Sequence, residues 1–225
     1  MTQRLLIVNI NPTARTLDGC RAIARGLRAA APEVEVVIRH WRGLTPRIVG
    51  QLRPMGVVIG PNGTPFPAYP PAFDRFLGWV RARRGPTLGI CGGHQALALA
   101  HGAPVGPVFR VPAATTSYAG MPKVQGETRV RMLGDPDPLL AGLPEEFTVA
   151  ASHVDEVKEV PPGFRLLAIG DPCHIQVLRA DRRPLWGVQF HPERPAGEGA
   201  AADYGALILA NFAAICGVPT RSTTS

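Results

Sequence analysis

Residues 86–100, PTLGICGGHQALALA, decide how the chain is organised. An apolar run ends at Ile90, a glycine-rich turn carries Cys91, and an alanine-rich run begins at Gln95. This order predicts a strand, a tight turn and a helix. A cysteine in such a turn sits at the carboxyl end of a strand and at the positive end of a helix dipole, which favours a reactive thiolate. The alternative is a structural cysteine beside an ordinary glycine turn.

Glycines surround this cysteine at positions 89, 92 and 93. They permit the sharp backbone geometry of a nucleophile elbow, in which G-x-C-x-G takes the place of the hydrolase motif G-x-S-x-G. Since the turn alone gives the functional interpretation only a modest advantage, the rest of the chain has to decide.

The composition is typical of one large α/β domain, with 225 residues of which 45% are hydrophobic and 18% charged. The four cysteines form no C-x-x-C pair, so the sequence predicts no metal site and no disulfide framework, and it suits a reducing compartment. The first apolar run, 5–8, is too short for a signal peptide, and no segment is long enough to span a membrane. We therefore expect a cytoplasmic protein with no membrane partner.

The formal net charge of +7 raises the question of nucleic-acid binding. The basic residues are dispersed along the chain, and the tightest groups, 81–84 and 182–183, contain no interleaved aromatic residues that would stack on bases. No nucleic-acid partner is therefore expected. A basic docking face for a partner protein or an anionic substrate stays open as the lesser alternative.

The first 60 residues predict the opening of a parallel sheet. A strand at 4–9, a helix at 17–30 and a strand at 34–38 form a β-α-β unit, and a third apolar strand follows at 56–60. The second half contains short alternating stretches between proline and glycine turns, which indicate antiparallel strands. These stretches lie at 128–132, 147–151, 164–169, 175–179 and 185–190.

The predicted fold is therefore α/β, with a mostly parallel central sheet flanked by helices and an added antiparallel portion. A final helix is predicted over 201–216. Residues 1–217 are predicted to form a single domain, because no linker divides them. Residues 218–225 are predicted to be a disordered tail, because they have nothing to bury.

A cysteine nucleophile needs a base, and the base needs a group that orients it. The best candidates lie downstream in WGVQFHPE, residues 186–193. Pro192 disfavours a helical conformation at His191 and holds the chain extended, so the side chains of His191 and Glu193 project to the same side. Glu193 is thus placed to accept a hydrogen bond from one imidazole nitrogen while the other nitrogen faces the thiol. A lone H-x-E is weak evidence, but beside a cysteine elbow in one sheet it becomes strong.

Two long motifs resemble those of the class I, triad-type glutamine amidotransferases. Residues 89–95, GICGGHQ, fit that family's G-[I/L/V]-C-x-G-x-Q motif, and residues 187–193, GVQFHPE, match its G-V-Q-F-H-P-E motif position for position. Two shorter stretches fit as well. VIGP at 58–61 resembles the strand that ends in the family's G-G-P turn, and SHVD at 152–155 resembles its S-H-x-D segment. The resemblance covers essentially the whole chain and implies a flavodoxin-like fold.

The resemblance also implies a catalytic triad of Cys91, His191 and Glu193, which acts on the side-chain amide of glutamine through a γ-glutamyl thioester. No metal and no other cofactor is expected. His94 is interpreted as a packing or hydrogen-bonding residue on the elbow helix, and not as the base.

Further site residues follow from the same resemblance. The implied donors to the tetrahedral oxyanion are the backbone amides of Gly92 and Gly60, although an isoleucine stands where the family has the first glycine of its G-G-P turn. Gln95 and the backbone around Val154 are implied to bind the amino-acid part of glutamine, with His153 beside this pocket.

Three functions stay open at this point. The first is a stand-alone glutamine amidotransferase that hydrolyses glutamine and passes ammonia to a separate ATP-dependent synthetase, since the chain has no G-x-x-x-x-G-K-[S/T] segment of its own. The second is a γ-glutamyl peptidase with the same triad. The third, a non-catalytic regulatory protein, is disfavoured because all three triad residues are present.

Overall fold

The computed structural model of the chain describes residues 3–112, 115–134, 136–197 and 203–220. Helices and strands alternate through the first half, and strands dominate the second half, as the sequence predicts. The helices are α1 (Asp18–Ala30), α2 (Pro46–Leu52), α3 (Phe73–Ala82), α4 (Gly92–Ala100) and α5 (Tyr204–Ile215). The strands are β1 (Arg4–Asn9), β2 (Glu35–His40), β3 (Gly56–Ile59), β4 (Thr87–Ile90), β5 (Val105–Pro107), β6 (Val124–Met132), β7 (Glu146–His153), β8 (Asp155–Val157), β9 (Phe164–Gly170), β10 (Ile175–Ala180) and β11 (Leu185–Val188).

Within the described ranges, nine strands form one sheet in the order β2-β1-β3-β4-β11-β10-β9-β6-β7, and β5 pairs with β8 in a separate ribbon. The five strands from β2 to β11 run parallel. The pairs from β11 to β7 are antiparallel. The predicted fold class is therefore confirmed. Strand β4, which leads to Cys91, lies in the middle of the parallel part between β3 and β11.

The parallel strands are buried on both faces because helices cover each side of the sheet. Along β1, Leu5 and Ile7 pack with α1 and α5, whereas Leu6 and Val8 pack with α3 and α4. This alternation follows from the two-residue period of a strand. It explains why the sequence of β1 is continuously apolar. Among the described residues, no helix combines the length and the apolar character that crossing a membrane requires.

The ends of the elements differ from the sequence prediction in places. Strand β6 begins at Val124, earlier than the predicted 128. Helix α5 begins at Tyr204, and the first two residues of the predicted helix lie outside the described part of the chain. Val218, at the start of the predicted tail, is buried, and its N–H donates to the Ala213 carbonyl at 3.1 Å. Residues 221–225 lie outside the described part, and the domain bounds stay a prediction.

Candidate active site

Cys91 occupies the turn between β4 and α4. Its φ of 51° and ψ of −106° put a residue with a side chain in a region that L-amino acids rarely adopt. The Cys91 N–H donates to the Val188 carbonyl at 2.8 Å, which ties the turn to the end of β11. Helix α4 begins at the next residue, so Cys91 lies at the helix N-terminus, where the first N–H groups have no intrahelical acceptor.

The glycines after Cys91 are required by a close backbone contact. A Cβ atom at Gly93 would overlap the Ile59 carbonyl, and a Cβ at Gly92 would overlap Asn62. The first turn of α4 therefore packs directly on the end of β3 and the turn that follows it. This explains the G-G pair in the sequence and brings the turn at residues 60–63 beside the cysteine.

His191 and Glu193 meet as the sequence predicts. The imidazole Nδ1 of His191 donates to Glu193 Oε1 at 2.7 Å, and both side chains are buried. The His191 N–H donates to the Ala150 carbonyl at 2.8 Å, which holds the backbone in place. The ring also contacts the side chain of Cys91. All three predicted triad residues therefore lie together.

The environment of His191 favours its charged form. Burial lowers the pKa of the imidazole, but the negative charge and hydrogen bond of Cys91, together with those of Glu193, outweigh it and raise the pKa of His191 to about 10. His191 is therefore protonated at neutral pH in this arrangement. The adjacent thiol is the group that gives up the proton.

A chain of side-chain amides surrounds the sulfur. Gln95 Nε2 donates to the Asp155 carbonyl at 2.6 Å and to Gln189 Oε1 at 3.2 Å. Gln189 Nε2 in turn donates to Cys91 Sγ at 3.8 Å. Gln95 thus lies beside the nucleophile, as predicted. The sequence analysis missed Gln189 as a site residue, although it lies inside the GVQFHPE motif.

A cavity of about 330 Å³ opens beside Cys91. The predicted residues His153 and Val154 line it, and so does Tyr118, whose hydroxyl donates to Asp155 Oδ2 at 2.5 Å. His153 donates from Nδ1 to the Asp155 carbonyl at 3.0 Å, and burial lowers its pKa to about 4, so the ring is neutral at pH 7. Tyr118 lies in a segment without periodicity, so no pattern in the sequence pointed to it.

A family model described as glutamine amidotransferase class-I matches residues 20–208. The chain belongs to the class I glutamine amidotransferase family. The matched residues include both the turn that carries Cys91 and the segment that carries His191 and Glu193. The family predicted from the two long motifs is therefore confirmed.

Curated relatives and solved structures agree with this membership. The chain is 42% identical over 132 residues to the glutamine-hydrolyzing subunit of GMP synthase from Methanocaldococcus jannaschii, a match that covers 59% of this chain and 61% of that protein. It is 40% identical over 198 residues to the protein of the same name from Archaeoglobus fulgidus, covering 86% of this chain and 91% of that protein. The structure of a Thermoplasma acidophilum protein described as a GMP synthase subunit has a TM-score of 0.68 at 25% identity, over 96% of this chain and 95% of that chain. A glutamine amidotransferase from Methylobacillus flagellatus shares the fold, with a TM-score of 0.66 at 17% identity over 100% of this chain and 99% of that chain.

One site residue expected from the amidotransferase resemblance needs correction. The N–H of Gly60 donates to the Val8 carbonyl at 2.9 Å as part of the ladder between β1 and β3, so it is not free to bind an oxyanion. A Cβ at Gly60 would lie 2.9 Å from Cys20 Sγ, which shows that this position is packed against α1. Gly92, the other expected donor, begins α4, where the N–H has no intrahelical acceptor.

Proposed function

We propose that the chain is the glutamine-hydrolysing component of a two-chain amidotransferase. Cys91, His191 and Glu193 form its catalytic triad, glutamine is its substrate, and ammonia is its product for a separate ATP-dependent synthetase. The observation that carries this proposal is the strained elbow that places Cys91 against His191, with Glu193 bonded to the far nitrogen of the ring. Curated relatives named as glutamine-hydrolyzing subunits of GMP synthase support the acceptor half, and we take the partner to be the synthetase component of a GMP synthase.

The proposed reaction begins from a thiolate and an imidazolium. The raised pKa of His191 keeps the ring protonated at neutral pH, and Gln189 Nε2 donates to the sulfur. The thiolate attacks the carboxamide carbon of glutamine and forms a tetrahedral intermediate with a negatively charged oxygen. His191 then gives its Nε2 proton to the departing nitrogen, so that ammonia leaves and a γ-glutamyl thioester stays on Cys91.

The second half of the reaction uses the same groups in reverse. The neutral His191 takes a proton from water, the hydroxide formed attacks the thioester carbon, and the sulfur leaves as glutamate is released. Glu193 keeps the Nδ1 proton of His191 in place throughout, because its Oε1 accepts that hydrogen bond and its side chain is fully buried. Gly92 supplies one oxyanion donor from the start of α4.

The cavity beside the sulfur is the proposed site for the rest of glutamine. Gln95, His153 and Val154 line its wall together with Asp155. Since His153 is neutral at pH 7, its contribution is shape and hydrogen bonding and not charge. A cytoplasmic location stays a prediction of the sequence.

The test is ammonia and glutamate release from glutamine, measured for the chain alone and with the synthetase component from the same source. We expect turnover that Cys91→Ala abolishes, and labelling of Cys91 by a glutamine-mimicking diazo ketone, seen as a mass shift of the intact protein. Inert glutamine together with cleavage of γ-glutamyl peptides would favour the peptidase instead. No turnover, no label and retained glutamine binding would point to a regulatory protein.

A further inference from the structure

The turn after β3 is held by one side chain from the end of β1. Asn11 Nδ2 donates to the Pro61 carbonyl at 3.3 Å, and the Gly63 N–H donates to Asn11 Oδ1 at 3.1 Å. A single amide thus bonds both ends of the turn at residues 61–63, and Asn11 itself is only 8% exposed. The two bonds fix the backbone on either side of Asn62.

Asn11 is itself held from several directions. Its Nδ2 and its backbone N–H both donate to Asn9 Oδ1, at 2.9 Å and 3.0 Å. Its carbonyl accepts from the indole N–H of Trp41 at 3.1 Å and lies 2.8 Å from Nε2 of His40. These bonds leave the Asn11 amide little freedom to rotate, so the clamp on the turn is rigid.

Asn62, the residue between the two clamped positions, lies beside the elbow. It lines the cavity together with Cys91, and a Cβ built on Gly92 would lie 2.8 Å from the Asn62 backbone nitrogen. In the described part of the chain the Asn62 N–H has no acceptor. Its side chain is fixed, because Nδ2 donates to the Thr64 carbonyl at 2.7 Å and to the Tyr69 hydroxyl at 3.1 Å.

We propose that Asn11 is a positioning residue for the oxyanion, and that the Asn62 N–H is the second donor beside Gly92. A tetrahedral oxyanion next to Cys91 needs donors that are already in place, because preorganised donors lower the barrier without reorganisation. The N–H of Gly60 is occupied by β1, whereas in the described part of the chain that of Asn62 is free and adjacent to the elbow. The inference rests on the proposed function, because it assigns roles in glutamine hydrolysis.

The test compares Asn11→Ala with Asn211→Ala as a matched control. Asn211 also bonds two backbone carbonyls with its amide, those of Leu139 and Ala141, but it does so on α5, with no contact to the turn at residues 61–63. Both variants are measured for glutamine kcat and KM, with and without the synthetase component, and for the rate of Cys91 alkylation by iodoacetamide. Alkylation displaces iodide at a saturated carbon and forms no oxyanion, so a misplaced donor does not affect it.

For Asn11→Ala we expect kcat to fall about 100-fold, which is the scale of losing one oxyanion donor, with KM within about threefold of wild type. The alkylation rate and its pH profile are expected to stay at the wild-type values. Asn211→Ala is expected to keep wild-type kcat even where its melting temperature falls. Equal losses of kcat and alkylation in Asn11→Ala, or a kcat within threefold of wild type, would overturn the inference.

A second variant covers the case in which Asn11→Ala does not fold. Gly63→Pro removes the N–H that donates to Asn11, and a Cβ at this position meets no atom within 4 Å. The φ of Gly63 is not in the left-handed region, which proline would exclude. We expect kcat to fall at least tenfold with unchanged alkylation, and an unchanged kcat would sink the inference. If wild-type protein releases no ammonia in either condition, the proposed function fails; if it does and the variants match it, only this inference fails.

Discussion

His94 lies in the first turn of α4 with a fully buried imidazole, and its replacement by methionine should weaken the response of the protein's stability to acid. A Cβ at Gly187 would collide with the ring, so the histidine fills the space that this glycine of β11 leaves open. Neither ring nitrogen makes a hydrogen bond of ordinary geometry with the described residues. Burial lowers the pKa of His94 to about 3, against a smaller upward effect from the backbone of Gly187.

The size of the effect follows from linkage between folding and protonation. In the unfolded chain His94 takes up a proton near its usual pKa of 6.5, whereas the folded protein resists protonation until about pH 3. Between these values the unfolded state binds more protons, so the free energy of unfolding falls as the pH falls. From pH 6.5 to pH 5 the loss is about 2 kcal/mol, at ~1.4 kcal/mol for each pH unit. His153, with a pKa lowered to about 4, adds a loss of similar size.

The assay is urea unfolding of wild type and His94→Met at pH 7 and pH 5, followed by circular dichroism. Methionine is close in volume and flexible, and it leaves no unsatisfied ring nitrogen, so the variant should be near wild type in stability at pH 7. Between pH 7 and pH 5 the variant should lose about 2 kcal/mol less than wild type. Because other titrating groups are common to both proteins, they cancel in this comparison. An equal loss in both proteins would show that His94 is solvated or protonated in the folded state and would refute the argument.

Three further outcomes are expected. Cys91→Ala should abolish ammonia release while shifting the melting temperature by only a few degrees, and residual turnover above ~1% would contradict Cys91 as the nucleophile. Glu193→Gln should lower kcat about 10³-fold or more, because the amide no longer fixes the imidazole proton or its charge, and a tenfold effect would be too small for a triad residue. Asp137→Ala should lower the free energy of unfolding by about 3 kcal/mol in a urea titration, because it leaves the Arg179 guanidinium, now 2.6 Å from the buried carboxylate, without its partner. The exposed Asp181→Ala is the control, and matching losses in the two variants would show that the buried pair contributes nothing.

The sequence predicted those parts of the site that depend on short-range geometry. The order of an apolar strand, a glycine turn and a helix placed Cys91 at an elbow, and Pro192 placed His191 and Glu193 on one side of an extended segment. Both inferences use chain geometry over a few residues, where local preferences decide the backbone. The structure therefore brings these three side chains together without any adjustment to the prediction.

Gly60 shows where this kind of reasoning fails. The position of a glycine in a motif says that the backbone comes close to something, but it does not say which way the N–H points. That direction is set by the pairing of β3 with β1, in which the N–H of Gly60 is used by Val8. Register depends on contacts between segments far apart in the chain, so the sequence alone could not assign the donor. Tyr118 was missed for a related reason, since its bond to Asp155 joins an aperiodic segment to β8.

The antiparallel half of the sheet has a specific part in building the site. In the sheet order, β7 lies four strands away from β11, yet the His191 N–H, just beyond β11, donates to the Ala150 carbonyl in β7. The antiparallel strands must therefore curve back over the carboxyl end of β11. This curvature delivers Ser152 to Asp155 to the cavity wall opposite the elbow, where Asp155 accepts from Gln95. A flat extension of the parallel sheet would leave Cys91 and His191 exposed on one side, whereas the curved sheet encloses them and provides the low-dielectric surroundings that strengthen the pairing of thiolate and imidazolium.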